Sequence, residues 1–240
     1  MRPDDLAFVE RLNDANSFAE SVAALENVLA GFGLENFIFL DLPDIRRGYT
    51  NFVFCRRVPA GWLEAYTSAK FYRVSPSLRL VRRTNKPFVW ADAPYDAERE
   101  PRIAEYFQHM ADFGMDKALV IPVPRVSGRT GVVRLGGPAP EFNAHTIPRL
   151  QLNALLAFEH IRRFQAPPYE QSRSALTERE REVLSWVASG KTAWKIGEIL
   201  HIAKRTVDVH VRAVCRKLDA GSRTHAVAIA VRDRLIDVDF

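Results

Sequence analysis

Residues 176–218, LTEREREVLSWVASGKTAWKIGEILHIAKRTVDVHVRAVCRKL, decide the C-terminal part of the fold. Thr177 and Glu180 have the T-x-x-E spacing of a capping box, in which each side chain serves the other residue's backbone N–H, so a helix is predicted to start there. Val183, Leu184 and Val187 follow at helical spacing, and Gly190 stands where a helix closes on a left-handed residue. A second helix is predicted over 193–200, with Ile196, Ile199 and Leu200 apolar. After a short turn at His201 and Ile202, a third runs to Leu218. Its Val207, Val211, Val214 and Leu218 recur at i, i+4, i+7 and i+11 and form one buried seam. That seam leaves Lys204, Arg205, Arg212, Arg216 and Lys217 on the other faces, with Asp208 as the acid among them. Two helices, a tight turn and a basic second member have the form of a helix-turn-helix whose second helix enters a DNA major groove.

Charge is distributed accordingly. Residues 172–240 hold 13 Lys+Arg against 9 Asp+Glu, leaving 21 against 20 for the first 171 residues, so most of the formal +5 belongs to the C-terminal part. A local basic excess is the electrostatic footprint of a polyanion-binding surface. Composition is that of an ordinary globular protein, 47% hydrophobic and 26% charged. No apolar run is long enough for a transmembrane helix, and MRPDDLAFVERLNDAN lacks a signal peptide's basic start and apolar core, so a cytoplasmic protein without membrane association is expected. Cys55 and Cys215 lie far apart and are expected to be isolated thiols.

Upstream, residues 4–13 are predicted as a short amphipathic helix, and Ser17 with Glu20 as a second capping box opening a helix to Gly31. Residues 36–40 and 50–55 are β-rich runs either side of a loop holding Pro43 and Gly48. Helical patterns follow over 62–71 and 76–83, a short strand over 87–90, and a charged helix over 98–113. Strands over 119–123 and 130–135 flank a turn at Gly128, and a long helix covers 143–164. Strands in the middle with helices at both ends predict an α+β domain, an α/β/α sandwich around a central antiparallel sheet. An all-α four-helix helix-turn-helix domain is expected to follow. Boundaries are placed at 1–164 for the first domain, 165–174 for a linker containing two prolines, and 175–240 for the second.

The C-terminal stretch resembles the DNA-binding domain of LuxR-family quorum-sensing transcription regulators. The resemblance rests on Leu176-Thr177, Arg179-Glu180, Glu182-Val183-Leu184, Gly190-Lys191-Thr192, Ile196, Ile199-Leu200, Arg205-Thr206-Val207, His210 and Lys217-Leu218, with Ala226-Val227-Ala228 and Leu235-Ile236 beyond. The first domain is similar to the same family's autoinducer-binding domain at Trp62, Tyr66, Pro76, Pro87-Phe88-x-Trp90, Gly114 and Ile121-Pro122. The resemblance implies an N-acyl-homoserine lactone held between the sheet and the helices of one face. Trp62 would donate its indole N–H to the lactone carbonyl, Tyr66 would close the pocket, and Trp90 would pack against the lactone ring. Residues 88–96 are similar to the branch of the family that takes branched-chain or aryl lactones.

Two departures fall inside that pocket. The family's Asp-Pro pair, whose carboxylate accepts the ligand amide N–H, is here Ser75-Pro76; a hydroxyl can accept the bond but brings no charge. Where the family commonly has Ser or Thr, this chain has Arg134. Either Arg134 points into the cavity, where a buried guanidinium needs a carboxylate or similar partner, or it turns to the rim and stays solvated. At the start of the recognition helix Ala203 stands in place of a Ser cap, and in the helix before it Lys195 stands in place of an acid.

No catalytic constellation is present: the six histidines show no metal-ligand spacing, and no phosphate-binding loop or nucleophile elbow occurs. No enzyme activity, cofactor or metal is expected. The resemblance implies a homodimer that reads a dyad-symmetric promoter site and contacts RNA polymerase. Arg212 is assigned to a guanine edge, and Lys204, Arg205, Thr206 and Lys217 to phosphates, while Asp208 would either read a cytosine amino group or penalise phosphate approach. A second function class stays open, a ligand-independent regulator or an anti-activator that forms mixed dimers with a paralogue.

Overall fold

A computed structural model describes residues 3–42, 49–124, 130–165, 176–232 and 235–236. These divide into two compact units, one through residue 165 and one from Leu176 on. The loop with Pro43 and Gly48, the turn at Gly128 and all but the first residue of the 165–174 linker lie outside the described residues.

The first unit is built on a five-stranded antiparallel sheet. Its strands are β1 (Asn36–Asp41), β2 (Val53–Arg57), β3 (Phe88–Val89), β4 (Ala118–Pro124) and β5 (Thr130–Gly136), in spatial order β2-β1-β5-β4-β3. Alternate residues face opposite sides. On one side Phe37, Phe39, Leu119, Ile121, Val133 and Leu135 pack against helices α1 (Pro3–Asp14), α2 (Phe18–Ala30) and α6 (Thr146–Phe164). On the other, Ile38, Leu40, Val120 and Val132 meet α3 (Trp62–Ser68), α4 (Pro76–Leu80) and α5 (Ile103–Asp112). This is the expected α/β/α sandwich. Each fully buried Phe or Leu contributes about 1.5–3 kcal/mol, so both layers are held chiefly by apolar burial.

Polar struts fix the helices on the first side. Arg149 of α6 grips the buried Asp5 of α1 through Nε and Nη2, and Arg162 of α6 reaches the fully buried Asp41 at 2.7 Å. Ser17 caps α2 as expected, but Glu20 returns its bond to the N–H of Asn16 rather than of Ser17. Among the described residues no helix is long and apolar enough to cross a membrane. Both cysteines are free, and burial pushes the Cys55 thiol up to about 12.

Several elements differ from the sequence reading: the helices expected over 76–83 and 143–164 run Pro76–Leu80 and Thr146–Phe164, and the strand expected over 87–90 is Phe88–Val89. Residues 50–52 form a 3-10 turn, so β2 starts only at Val53. The helix expected over 62–71 stops at Ser68, with a 3-10 turn at Phe71–Arg73. The helix expected from Glu98 starts at Ile103, because Asp96 Oδ1 accepts from the N–H groups of Glu98 and Arg99 and holds that segment in a turn.

The second unit holds α7 (Glu178–Ala188), α8 (Ala193–Leu200), α9 (Lys204–Lys217) and α10 (Arg223–Arg232). Both capping-box bonds are present at the start of α7. At its end Gly190 adopts φ 75°, and Lys191 N–H reaches the Trp186 carbonyl at 3.1 Å. Three of the four seam residues, Val207, Val214 and Leu218, are buried, with Val183, Leu184, Ile196 and Ala230 also in the core, while Val211 is half-buried.

Candidate functional site

The α3–α5 side of the sheet contains a cavity of about 30 Å³. Trp62, Tyr66, Ser75, Trp90 and Arg134 all line it, so the structure brings the five sequence-predicted side chains around one space. That volume admits about two waters and no acyl chain, because side chains already fill the rest.

Trp62 opens α3, placed by Gly61 at φ 76° before it, and stacks on Tyr66 one turn later with ring centroids 4.7 Å apart. The Trp62 ring is 1% exposed, yet its Nε1 has no hydrogen-bond partner. Ser75 caps α4, accepting from the Leu78 N–H at 3.4 Å. Its Oγ also lies 3.0 Å from Ser77 Oγ and 3.1 Å from the Tyr106 hydroxyl. Trp90 donates its indole N–H to that same Tyr106 hydroxyl at 3.0 Å. Tyr106 is therefore the hub of the polar network, and sequence reasoning missed it. The signal was present in Ile103, Tyr106 and Met110, buried at i, i+3 and i+7 on the helix.

Arg134 faces inward, not to the rim. It pairs with Ile38 on β1 and Val120 on β4, both residues of the cavity side. Its Nη1 donates to Asn36 Oδ1 at 2.8 Å and to Met115 Sδ at 3.7 Å, and its Nη2 donates to the Met115 carbonyl. Nε has no partner. Burial lowers the Arg134 pKa to about 10, so the group is charged at neutral pH. Burial also raises the hydroxyls of Tyr49, Tyr66 and Tyr106, which keeps all three neutral there.

In the second unit, α8, the turn and α9 form the helix-turn-helix. His201 ends α8 at φ 53°, and Ile202 N–H returns to the Gly197 carbonyl at 2.9 Å. A Cβ on Gly197 would stand 2.6 Å from the Ile202 carbonyl oxygen, so only glycine lets the turn fold so closely onto α8. Ala203 gives α9 no side-chain cap. Lys204, Arg205, Thr206 and Arg212 are exposed and Asp208 is half-buried. Val209, which the sequence reading passed over, is 49% exposed. It shares the face of Arg205, Arg212 and Arg216, an apolar side chain outside the seam on an otherwise basic surface. Lys195 pairs with Glu198 at 3.0 Å, which offsets its charge.

Lys217, expected to contact a phosphate, forms an ion pair within the domain. Its Nζ lies 2.7 Å from Oε2 of the buried capping-box residue Glu180. Burial pushes the Glu180 carboxyl up, but the bonds from Lys217 and Thr177 outweigh it and hold the group below its ordinary value.

Comparison with known proteins agrees with this two-part arrangement. Residues 17–161 match the autoinducer binding domain family, and residues 174–230 match the luxR family of bacterial regulatory proteins. The transcriptional activator protein BjaR1 of Bradyrhizobium diazoefficiens is 42% identical over 97% of this chain and 96% of its own. The quorum sensing-dependent transcriptional regulator RpaR of Rhodopseudomonas palustris is 35% identical over 90% of this chain and 88% of its own. The crystal structure of Escherichia coli SdiA shares the fold, with a TM-score of 0.72 at 18% identity over 96% of this chain and 97% of that one.

Proposed function

The chain belongs to the luxR family of bacterial regulatory proteins, and from this we propose how its two sites divide the work of a quorum-sensing transcription regulator. Its relatives are transcription regulators, not enzymes. Residues 1–164 would bind the signal, 165–174 would link, and 175–240 would bind DNA.

Once its wall side chains move apart, the cavity takes a small acyl- or aryl-homoserine lactone or a related signal. One observation carries this reading: the buried, unpartnered Trp62 indole N–H on the cavity wall. A buried donor without an acceptor costs about 1–3 kcal/mol, and a ligand carbonyl would relieve it. Tyr66 then closes the space, Trp90 packs against the ring, and Ser75 accepts the amide N–H by releasing Tyr106. Residues 88–96 favour a branched-chain or aryl acyl group.

On DNA, Arg212 takes guanine O6 and N7, Asp208 a cytosine amino group, and Val209 a thymine methyl. Lys204, Arg205 and Thr206 hold phosphates, while Lys217 stays with Glu180. A homodimer would present two such helices to a dyad-symmetric site in the cytoplasm, where it also meets RNA polymerase. Leu152 and Leu156, exposed one turn apart on α6, and Val231 on α10 suit apolar pairing.

Thermal denaturation of the purified chain with a panel of acyl- and aryl-homoserine lactones tests the cavity, and a gel shift of the homodimer on its own promoter region tests the DNA reading. Stabilisation by one compound together with a sequence-specific shift is expected. The filled cavity favours one second reading, a regulator or anti-activator that folds without ligand; a specific shift unchanged by every compound would support it.

A further inference from the structure

We infer that the cavity is selective for a ligand bearing an anionic group, a carboxylate on an acyl or aryl amide, which Arg134 binds through its free Nε face. This rests on the reading of the cavity as a ligand site and names the chemical class it prefers.

The argument comes from two arginines of equal burial on opposite sides of one sheet. Arg162 and Arg134 are each 7% exposed. Arg162 has the Asp41 carboxylate at 2.7 Å. Arg134 has no carboxylate bonded to it among the described residues; its bonds go to an amide oxygen, a carbonyl oxygen and a thioether, and the Asp116 carboxylate acts on it only through space. A guanidinium withdrawn from water is costly unless its charge is paired, and carbonyl dipoles supply only part of what a counter-ion would. Its Nε is buried without an acceptor, beside the cavity. The other polar groups on the wall are hydroxyls and indoles, and Ser75 adds no charge to the lining. The cavity thus presents one positive charge, neutral hydrogen-bonding groups and an aromatic wall, a site complementary to a small amphipathic anion.

The decisive probe pair is N-isovaleryl-homoserine lactone and its ring-opened product, N-isovaleryl-homoserine, in which hydrolysis of the ester has released a carboxylate and a primary hydroxyl; the Arg134 variant isolates the carboxylate's share. Binding of each to the full-length protein is measured by calorimetry at neutral pH, with Arg134→Met as the attributing variant. The carboxylate is expected to bind about ten- to a hundredfold more tightly than the lactone, the range of one charge-assisted bond in a dry site. Arg134→Met should abolish that preference. A lactone that binds as well as or better than the carboxylate in the unaltered protein overturns this inference and leaves the cavity's role as a ligand site intact. Binding of neither compound, with no stabilisation by the wider lactone panel, overturns the ligand-site reading itself. If Arg134→Met does not fold, Arg134→Lys serves: it keeps the charge but not the forked donors, and a preference retained in weaker form supports the assignment, whereas an undiminished preference removes Arg134 from it.

Discussion

The Lys217 ammonium, at the last residue of α9, lies 2.7 Å from the carboxylate of Glu180 in the first turn of α7. The capping box is thereby tied to the recognition helix, so one local start signal also fixes where the DNA-reading element ends. Lys217→Met should lower stability by about 1–3 kcal/mol, between the values for exposed and buried pairs. The salt dependence of DNA binding should stay as it was, whereas Arg205→Ala should reduce the slope by about one. Urea denaturation and binding titrations over a salt series read both. An equal loss of slope in the two variants would return Lys217 to the phosphates.

Base reading and backbone holding separate by specificity ratio. Arg212→Ala should cost about 1–3 kcal/mol on the cognate site and blur one position, while Lys204→Ala should weaken all sequences alike. Val209→Ala should erase a preference for thymine over uracil at a single position, since the two bases differ by the methyl alone. Competition binding with uracil-substituted duplexes measures it. An unchanged ratio in Val209→Ala assigns that side chain no base.

Tyr106→Phe removes the acceptor of the Trp90 indole and a partner of Ser75 in one step. The expected cost is about 1–3 kcal/mol, because a buried donor is left without a partner. A thermal melt of the ligand-free variant reads it. A loss below about 0.5 kcal/mol would mean that Trp90 finds another acceptor.

Protonation adds a pH dependence of defined sign. Burial lowers the pKa of His109 and of His160 below the ordinary 6.5. As pH falls through 6.5, the unfolded chain takes up these protons while the folded chain does not. Stability should therefore decline with acidification, starting near the unfolded value and levelling off below the folded ones. His109→Phe, which keeps a ring among Trp62, Tyr66 and Phe71, should flatten part of this decline. Melting temperatures of both proteins between about pH 8 and pH 5 give the slopes, and parallel slopes would count against His109.

The elements that were legible in sequence are those whose limits are set by local chemistry. Thr177 with Glu180, and Gly190 at its left-handed φ, announce α7 because the bonds they make stay within one turn. The failures share a different cause. Residues 50–55 have the composition of a strand, but Phe52 N–H returns to the Tyr49 carbonyl and makes a turn that points both rings inward. The orientation of Arg134 was unreadable for a simpler reason. Both faces of the sheet are covered, so Val132, Val133 and Leu135 are all apolar and alternation marks no inside. Val209 was hidden by the basic residues around it, and Tyr106 by Phe107 and the other apolar residues beside it, which blur the buried stripe of α5.

The Trp90–Tyr106–Ser75 chain bears on how such a sensor sets its threshold. Those groups already satisfy one another, so an arriving molecule that bonds to Ser75 or Trp90 exchanges an internal contact for an external one. The net gain must come from apolar surface and from the two idle donors, Trp62 Nε1 and Arg134 Nε. A cavity of this kind has a high detection limit for compounds that merely fit, and a low one for the few that engage both idle groups at once.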